Sequence, residues 1–139
     1  HLRKVKTEIT DHLLLNLNDT PDIAQTIAVT CFGLGIHCKL EGLKTLKIKE
    51  TDRLLALKIE LEKLGATVTI TDQSLEVFPS MKIIKNITIE TYQDHRMAMA
   101  FAPLVFKVPI NILEPNVVTK SYATFWEDLV KTGVLVELK

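Results

Sequence analysis

Apolar and polar positions along the chain divide it into short strand-like runs and longer helical stretches. Ile9 to Leu17, centred on Leu13-Leu14-Leu15, predicts a strand that ends at the turn formers Asn18-Asp19-Thr20. Thr20-Pro21-Asp22 then reads as a helix start: a hydroxyl at the N-cap, proline at the first position and a carboxylate in the first turn. That helix runs to Gly33 and Gly35 and is apolar on nearly every face, which predicts burial. Ile36 to Leu43 is a second strand. In the stretch from Lys49 to Gly65 the back half predicts an amphipathic helix, with Leu54, Leu57, Leu61 and Leu64 on one stripe and Lys58, Glu60, Glu62 and Lys63 on other faces, while the front half carries the charges Lys49, Glu50, Asp52 and Arg53. Thr67 to Ile70 and Leu75 to Phe78 form a hairpin across Thr71-Asp72-Gln73-Ser74.

The order then begins again. Ile87 to Glu90 predicts a strand, and Asp94 to Phe106 an apolar helix that Pro103 should kink or shorten. Pro109 to Leu113 is a strand, Ser121 to Lys131 a helix carrying Phe125, Trp126 and Leu129, with Trp126 expected in the core, and Val134 to Leu138 a closing strand. Two units, about 9–79 and 85–139, thus share the order strand, helix, strand, helix, strand, at an offset of about seventy residues. The second unit lacks the last strand of its hairpin. The expected architecture is α/β, two pseudo-repeated units cut from a larger domain.

Composition narrows the class. The 139 residues are 47% hydrophobic, enough for one sizeable core, and 17 basic side chains balance 17 acidic ones. Zero net charge argues against a nucleic-acid binder. The longest apolar run, Met97 to Phe106, is too short to span a membrane, and no signal-peptide pattern is present. Starting at His1 without Met, the chain reads as a piece of something longer. Cys31 and Cys38 fit the interior of a reduced, intracellular protein.

Charge is concentrated at predicted helix starts: Asp22 on the first, Lys49, Glu50 and Arg53 on the second, Asp94-His95-Arg96 on the third, Lys120 on the fourth. Helix N-termini attract anions, so cations added there point to a phosphate or carboxylate ligand. If equivalent helices run parallel, the four starts converge on one rim, where Asp22 and Glu50 are candidates for proton transfer. No histidine pattern has metal-ligand spacing, and no P-loop, dinucleotide fingerprint or nucleophile elbow is present.

LKIKETDRL followed by ELEKLGA, TYQDHRMAMAFAPL and EPNVVTKSYATFW, preceded by NDTPDIAQTIAVT, resembles the C-terminal part of the EPSP synthase family, the 3-phosphoshikimate 1-carboxyvinyltransferases. The resemblance implies an inside-out α/β domain of the enolpyruvyl-transferase type, with buried parallel helices and outer sheets. It implies transfer of the enolpyruvyl group of phosphoenolpyruvate to the 5-hydroxyl of shikimate 3-phosphate, through a tetrahedral intermediate and without metal or organic cofactor. Carried over, Asp22 accepts the proton of the attacking hydroxyl and touches shikimate 3-phosphate with Lys49. Glu50 protonates the methylene carbon of phosphoenolpyruvate. Arg53, Arg96 and Lys120 hold the carboxylate and phosphate of phosphoenolpyruvate, with His95 beside Arg96. Thr45 stands where some members carry an asparagine that helps bind shikimate phosphate.

The missing N-terminal part would supply the other wall of the cleft, so this stretch alone is expected not to turn over. The full-length protein is expected to be a cytoplasmic monomer with no nucleic-acid or membrane partner. Two alternatives stay open: a relative that uses UDP-N-acetylglucosamine as acceptor, and a non-catalytic α/β module that keeps an anion site or serves only as a structural repeat.

Overall fold

The computed structural model describes residues 11–48 and 52–137. Its first sheet has four strands: β1 (His12–Asn16), β2 (His37–Glu41), β3 (Thr67–Ile70) and β4 (Ser74–Phe78), in the order β1-β2-β4-β3. β1 and β2 are parallel, with Leu13 opposite Cys38 and Leu15 opposite Leu40. β4 lies antiparallel between β2 and β3. A second sheet pairs β5 (Ile87–Ile89) with β6 (Ile110–Ile112), again parallel. Each parallel pair is joined through a helix, as parallel strands require: α1 (Ala24–Leu34) between β1 and β2, and α3 (His95–Phe101) between β5 and β6. The α/β expectation holds.

The two crossover helices pack on each other, and α1 also packs on β2 and β4. Their buried apolar positions are Ala24, Ala28, Val29, Cys31 and Phe32 on α1, and Met97, Ala98, Ala100 and Phe101 on α3. Between the sheet and α3, α1 keeps only a narrow exposed stripe, Thr26, Thr30 and Leu34, which is why its sequence is apolar on nearly every face. α2 (Arg53–Lys63) packs on β3, with Leu54, Leu57, Leu61 and Leu64 buried as the leucine spacing predicts. Gly65 follows with φ +99° and stops the helix. Glu60, assigned by pattern to a polar face, is instead 0% exposed, because it stands seven residues after Arg53 on the inward side.

Several boundaries differ from the expectation for local reasons. The lead-in to α1 is a tight 3-10 turn, Pro21–Ile23, and the Thr20 hydroxyl makes no capping bond. Lys44–Ile48, expected as loop, is another 3-10 turn. Pro103 lacks an amide hydrogen, and the predicted long helix accordingly changes from α at Phe101 to a 3-10 turn over Ala102–Phe106. The last helix, α4 (Phe125–Lys131), begins four residues later than expected, and Trp126 is only half-buried, donating from Nε1 to the Pro115 carbonyl at 3.0 Å. Residues 134–137 form no strand: their alternating pattern finds no strand partner among the described residues, and Leu135 is 81% exposed. Val134 to Leu138 is thus corrected to irregular chain as far as it is described.

Gly42 positions the loop that feeds the first helix. Its φ is +77°, and a Cβ there would come within 2.5 Å of the Asn18 backbone nitrogen. Only glycine fits both the dihedral and the space. No helix among the described residues is long and apolar enough to cross a membrane.

Replacing Leu57 by alanine should cost about 2–5 kcal/mol, read as a lower urea midpoint, because the side chain is wholly buried. Burial pushes the Cys38 thiol up to about 12, with neighbouring Cys31 adding to the shift, and burial also raises Cys31. Both thiols should therefore ignore a disulfide-exchange reagent at neutral pH in the folded protein and react fully in denaturant. Rapid labelling of native protein would contradict this packing.

Candidate functional site

The starts of α1, α2 and α3 meet. Asp22 sits in the 3-10 turn before α1, Arg53 is the first residue of α2, and Asp94 is the N-cap of α3 with Arg96 one residue into the helix. Asp52 caps α2 by accepting from the Leu55 amide at 3.0 Å. Asp94 does the same for α3, accepting from the Arg96 amide at 2.9 Å. Both caps satisfy amides that the helix leaves unpaired.

Asp94 has a second task that neither spacing nor motif had assigned to it. Its Oδ2 accepts from Arg53 Nε at 2.7 Å and from Gln25 Nε2 at 3.2 Å. The side chains of Arg53 and Asp94 are 4% and 2% exposed, so this pair is desolvated and its members depend on one another. Gln25 was also missed. The signal for it was a lone amide in an apolar helix, three residues after Asp22 and therefore on the same face. Its Oε1 is buried with no hydrogen-bond partner among the described residues.

Asp22 spans the two guanidiniums. Oδ1 accepts from Arg53 Nη1 at 3.0 Å and Oδ2 from Arg96 Nη2 at 3.3 Å. Unlike Asp94 it faces outward, with its side chain 42% exposed. Arg96 is half-buried, and its Nη1 lies 3.4 Å from Nε2 of His95, whose Nδ1 is 3.9 Å from Asp94 Oδ1. The expected convergence of Asp22, Arg53, His95 and Arg96 is therefore found.

The remaining candidates fall out differently. Lys49 and Glu50 lie outside the described residues. Thr45 is exposed on the 3-10 turn Lys44–Ile48, which packs against the turn carrying Asp22. Lys120 is not at a helix start. It lies on the turn that follows the 3-10 segment Pro115–Val118, five residues before α4, because Tyr122 to Thr124 do not extend the helix backward. With Gln93, Glu114, Asn116 and Val117 it lines an open cavity of about 440 Å³. Gln93 immediately precedes Asp94, so this cavity adjoins the rim at the start of α3.

Chemically, the rim combines an exposed carboxylate held from two sides, a half-exposed guanidinium, and helix N-termini that favour negative charge. Such a set can seat a dianion and receive a proton beside it. Among the described residues, no group of three His, Cys, Asp or Glu side chains could hold a metal ion.

Asp94→Ala should lower stability by roughly 3–5 kcal/mol, since it removes the buried acceptor of Arg53 Nε and the cap of α3 together. Asp22→Asn should cost no more than about 1 kcal/mol, since water reaches that carboxylate. Paired urea titrations check the contrast, and equal losses would mean that the two carboxylates are not divided between an inner and an outer role.

The comparisons with known proteins bear on the same residues. The family model for EPSP synthase (3-phosphoshikimate 1-carboxyvinyltransferase) matches residues 3–129. A 3-phosphoshikimate 1-carboxyvinyltransferase of Bacteroides fragilis is 48% identical over 118 residues, covering 83% of this chain and 29% of the relative. One from Neisseria meningitidis is 35% identical over 114 residues, covering 81% and 26%. The solved structure of an EPSP synthase from Acinetobacter baumannii has a TM-score of 0.73 at 26% identity, over 81% of this chain and 27% of that one. The chain thus spans under a third of the length of these relatives. Because the family match spans residues 3–129, most of the chain and every candidate site residue from Asp22 to Lys120, the chain belongs to the EPSP synthase family.

Proposed function

We propose that this chain is the partial C-terminal domain of a 3-phosphoshikimate 1-carboxyvinyltransferase, built from pseudo-repeat units at about 9–79 and 85–139. The full-length protein transfers the enolpyruvyl group of phosphoenolpyruvate to the 5-hydroxyl of shikimate 3-phosphate and releases phosphate. The observation that carries this reading is Asp22 suspended between Arg53 and Arg96. A base placed among anion-holding cations is what an alcohol adding to a phosphorylated enol needs.

The proton accounting assigns the roles. As the hydroxyl oxygen bonds to C2 of phosphoenolpyruvate, its proton passes to Asp22, and Glu50 delivers a proton to the methylene carbon. The tetrahedral adduct then loses phosphate with the C–O electron pair, the phosphate carrying off the proton that Asp22 had taken, and a proton leaves the new methyl group to restore the double bond. Glu50, left as carboxylate by the first step, takes it back in this scheme. Arg53, Arg96 and Lys120 balance the charge of the carboxylate and departing phosphate, with His95 beside Arg96. Lys49 and Thr45 serve the shikimate phosphate side. No metal or organic cofactor enters the scheme. The other wall of the cleft comes from the part of the protein that precedes this segment, and the complete enzyme works as a cytoplasmic monomer.

The test is phosphate release from phosphoenolpyruvate by the full-length chain, with shikimate 3-phosphate or UDP-N-acetylglucosamine as acceptor. Release is expected only with the first. Glu50→Gln should lower kcat by about 10²–10⁴-fold, with a far smaller effect on the KM for phosphoenolpyruvate. The segment of 139 residues alone should give no turnover. Silence from folded full-length protein with both acceptors would leave an anion-binding module, and turnover by the segment alone would remove the need for a second wall.

A further inference from the structure

Glu60 is a buried carboxylate that the proposed chemistry does not use. Its side chain is 0% exposed, yet two of its hydrogen bonds leave the helix that carries it. Oε1 accepts from the Tyr92 hydroxyl at 2.8 Å, and Oε2 accepts from the Glu90 amide at 3.2 Å. Lys63 reaches both oxygens at 2.8 Å. A carboxylate serving only Lys63, its neighbour one turn along, would gain nothing from complete burial.

The segment it grips is unusual. Tyr92 and Gln93 have φ of +53° and +56°, two successive left-handed residues and neither of them glycine. Such backbone persists where surrounding bonds over-determine it. The turn is closed by the Asp94 amide, which donates to the Thr91 carbonyl at 2.9 Å. Directly after it come Asp94, which takes Arg53 Nε, and Arg96, which holds Asp22. Arg53 and Glu60 stand seven residues apart on α2, two turns along one face. One helix therefore grips residues 90–94 at two points, through Glu60 at the near end and Arg53 at the far end. Burial, and then the Glu60 carboxylate beside it, raise the Tyr92 hydroxyl above its usual range, so it stays protonated and remains a donor.

We propose that Glu60 and Tyr92 form a positioning latch, which holds the left-handed turn so that Asp94 and Arg96 meet Arg53 and Asp22 in anion-binding register. The proposal rests on reading the rim as the phosphoenolpyruvate site. The latch touches no substrate and acts through Asp94 and Arg96 on affinity for the anionic substrate.

The experiment uses the full-length chain. Calorimetry reads phosphoenolpyruvate binding, and steady-state kinetics read both substrates. Tyr92→Phe keeps the ring and removes one hydroxyl. It should raise the Kd and KM for phosphoenolpyruvate about tenfold, with the KM for shikimate 3-phosphate and kcat changed less than about threefold. In an Arg96→Ala background the same substitution should have almost no further effect on phosphoenolpyruvate, because the group it positions is gone. Glu60→Gln should reproduce the loss; if it does not fold, Tyr92→Phe decides alone. Unchanged affinity, or an equal tenfold loss in the Arg96→Ala background, overturns the latch. If the full-length chain binds phosphoenolpyruvate without turning it over, the proposed reaction falls and the calorimetric cycle still decides the latch. Failure to bind phosphoenolpyruvate at all overturns both.

Discussion

The buried contact between Asp94 and Arg53 is the constraint on which the rest of the rim depends. One carboxylate caps α3, neutralises the first residue of α2 and accepts from Gln25 on α1, so three helix starts are fixed by a single side chain. Desolvation makes this contact unforgiving, because a charge at 2–4% exposure has no water to fall back on when its partner leaves. The neighbouring helices can therefore adjust only as a group.

That inner pair lets the outer residues remain available. Arginine at a helix N-terminus is opposed by the helix dipole, and placing two there requires carboxylates close by. Asp94 answers this requirement from inside, and Asp22 from the solvent side, where it touches both Arg53 and Arg96. An arriving anion would find helix N-termini and a half-exposed guanidinium already oriented, with little reorganisation left to do. The apolar faces of α1 and α3 are the mechanical counterpart. Packed on one another beneath the rim, they hold its members in place through their interior contacts.

Much of this was legible in the residues. The leucine stripe of α2, the mostly apolar character of α1, the hairpin across Thr71 to Ser74 and the break at Pro103 are local patterns, and local physics is sufficient to read them. Less legible were features that depend on what lies opposite. Val134 to Leu138 alternates like a strand, but alternation states which face is apolar and says nothing of whether an edge awaits it. Lys120 precedes a helical pattern, yet the chain turns before α4 begins. Glu60 carries a charge that any amphipathic reading assigns to water, and only the approach of residues 90–92 gives that charge partners inside.

What could be read from the residues was the α/β class, the order of the elements as far as α4, the apolar core positions of α1, α2 and α3 and the family to which the chain belongs. Each of these is written in periodicity or in contiguous motifs such as KETDR and DHRMAM. Tertiary structure alone decided that Asp22 and Asp94 divide into an exposed and a buried carboxylate, that Gln25 joins the second, and that Glu60 faces inward. The physical reason is that burial and charge pairing are properties of groups brought together from positions as far apart as 22 and 96. A carboxylate becomes a buried anchor or a solvent-facing group according to the side chains that surround it, and those neighbours are distant in the chain.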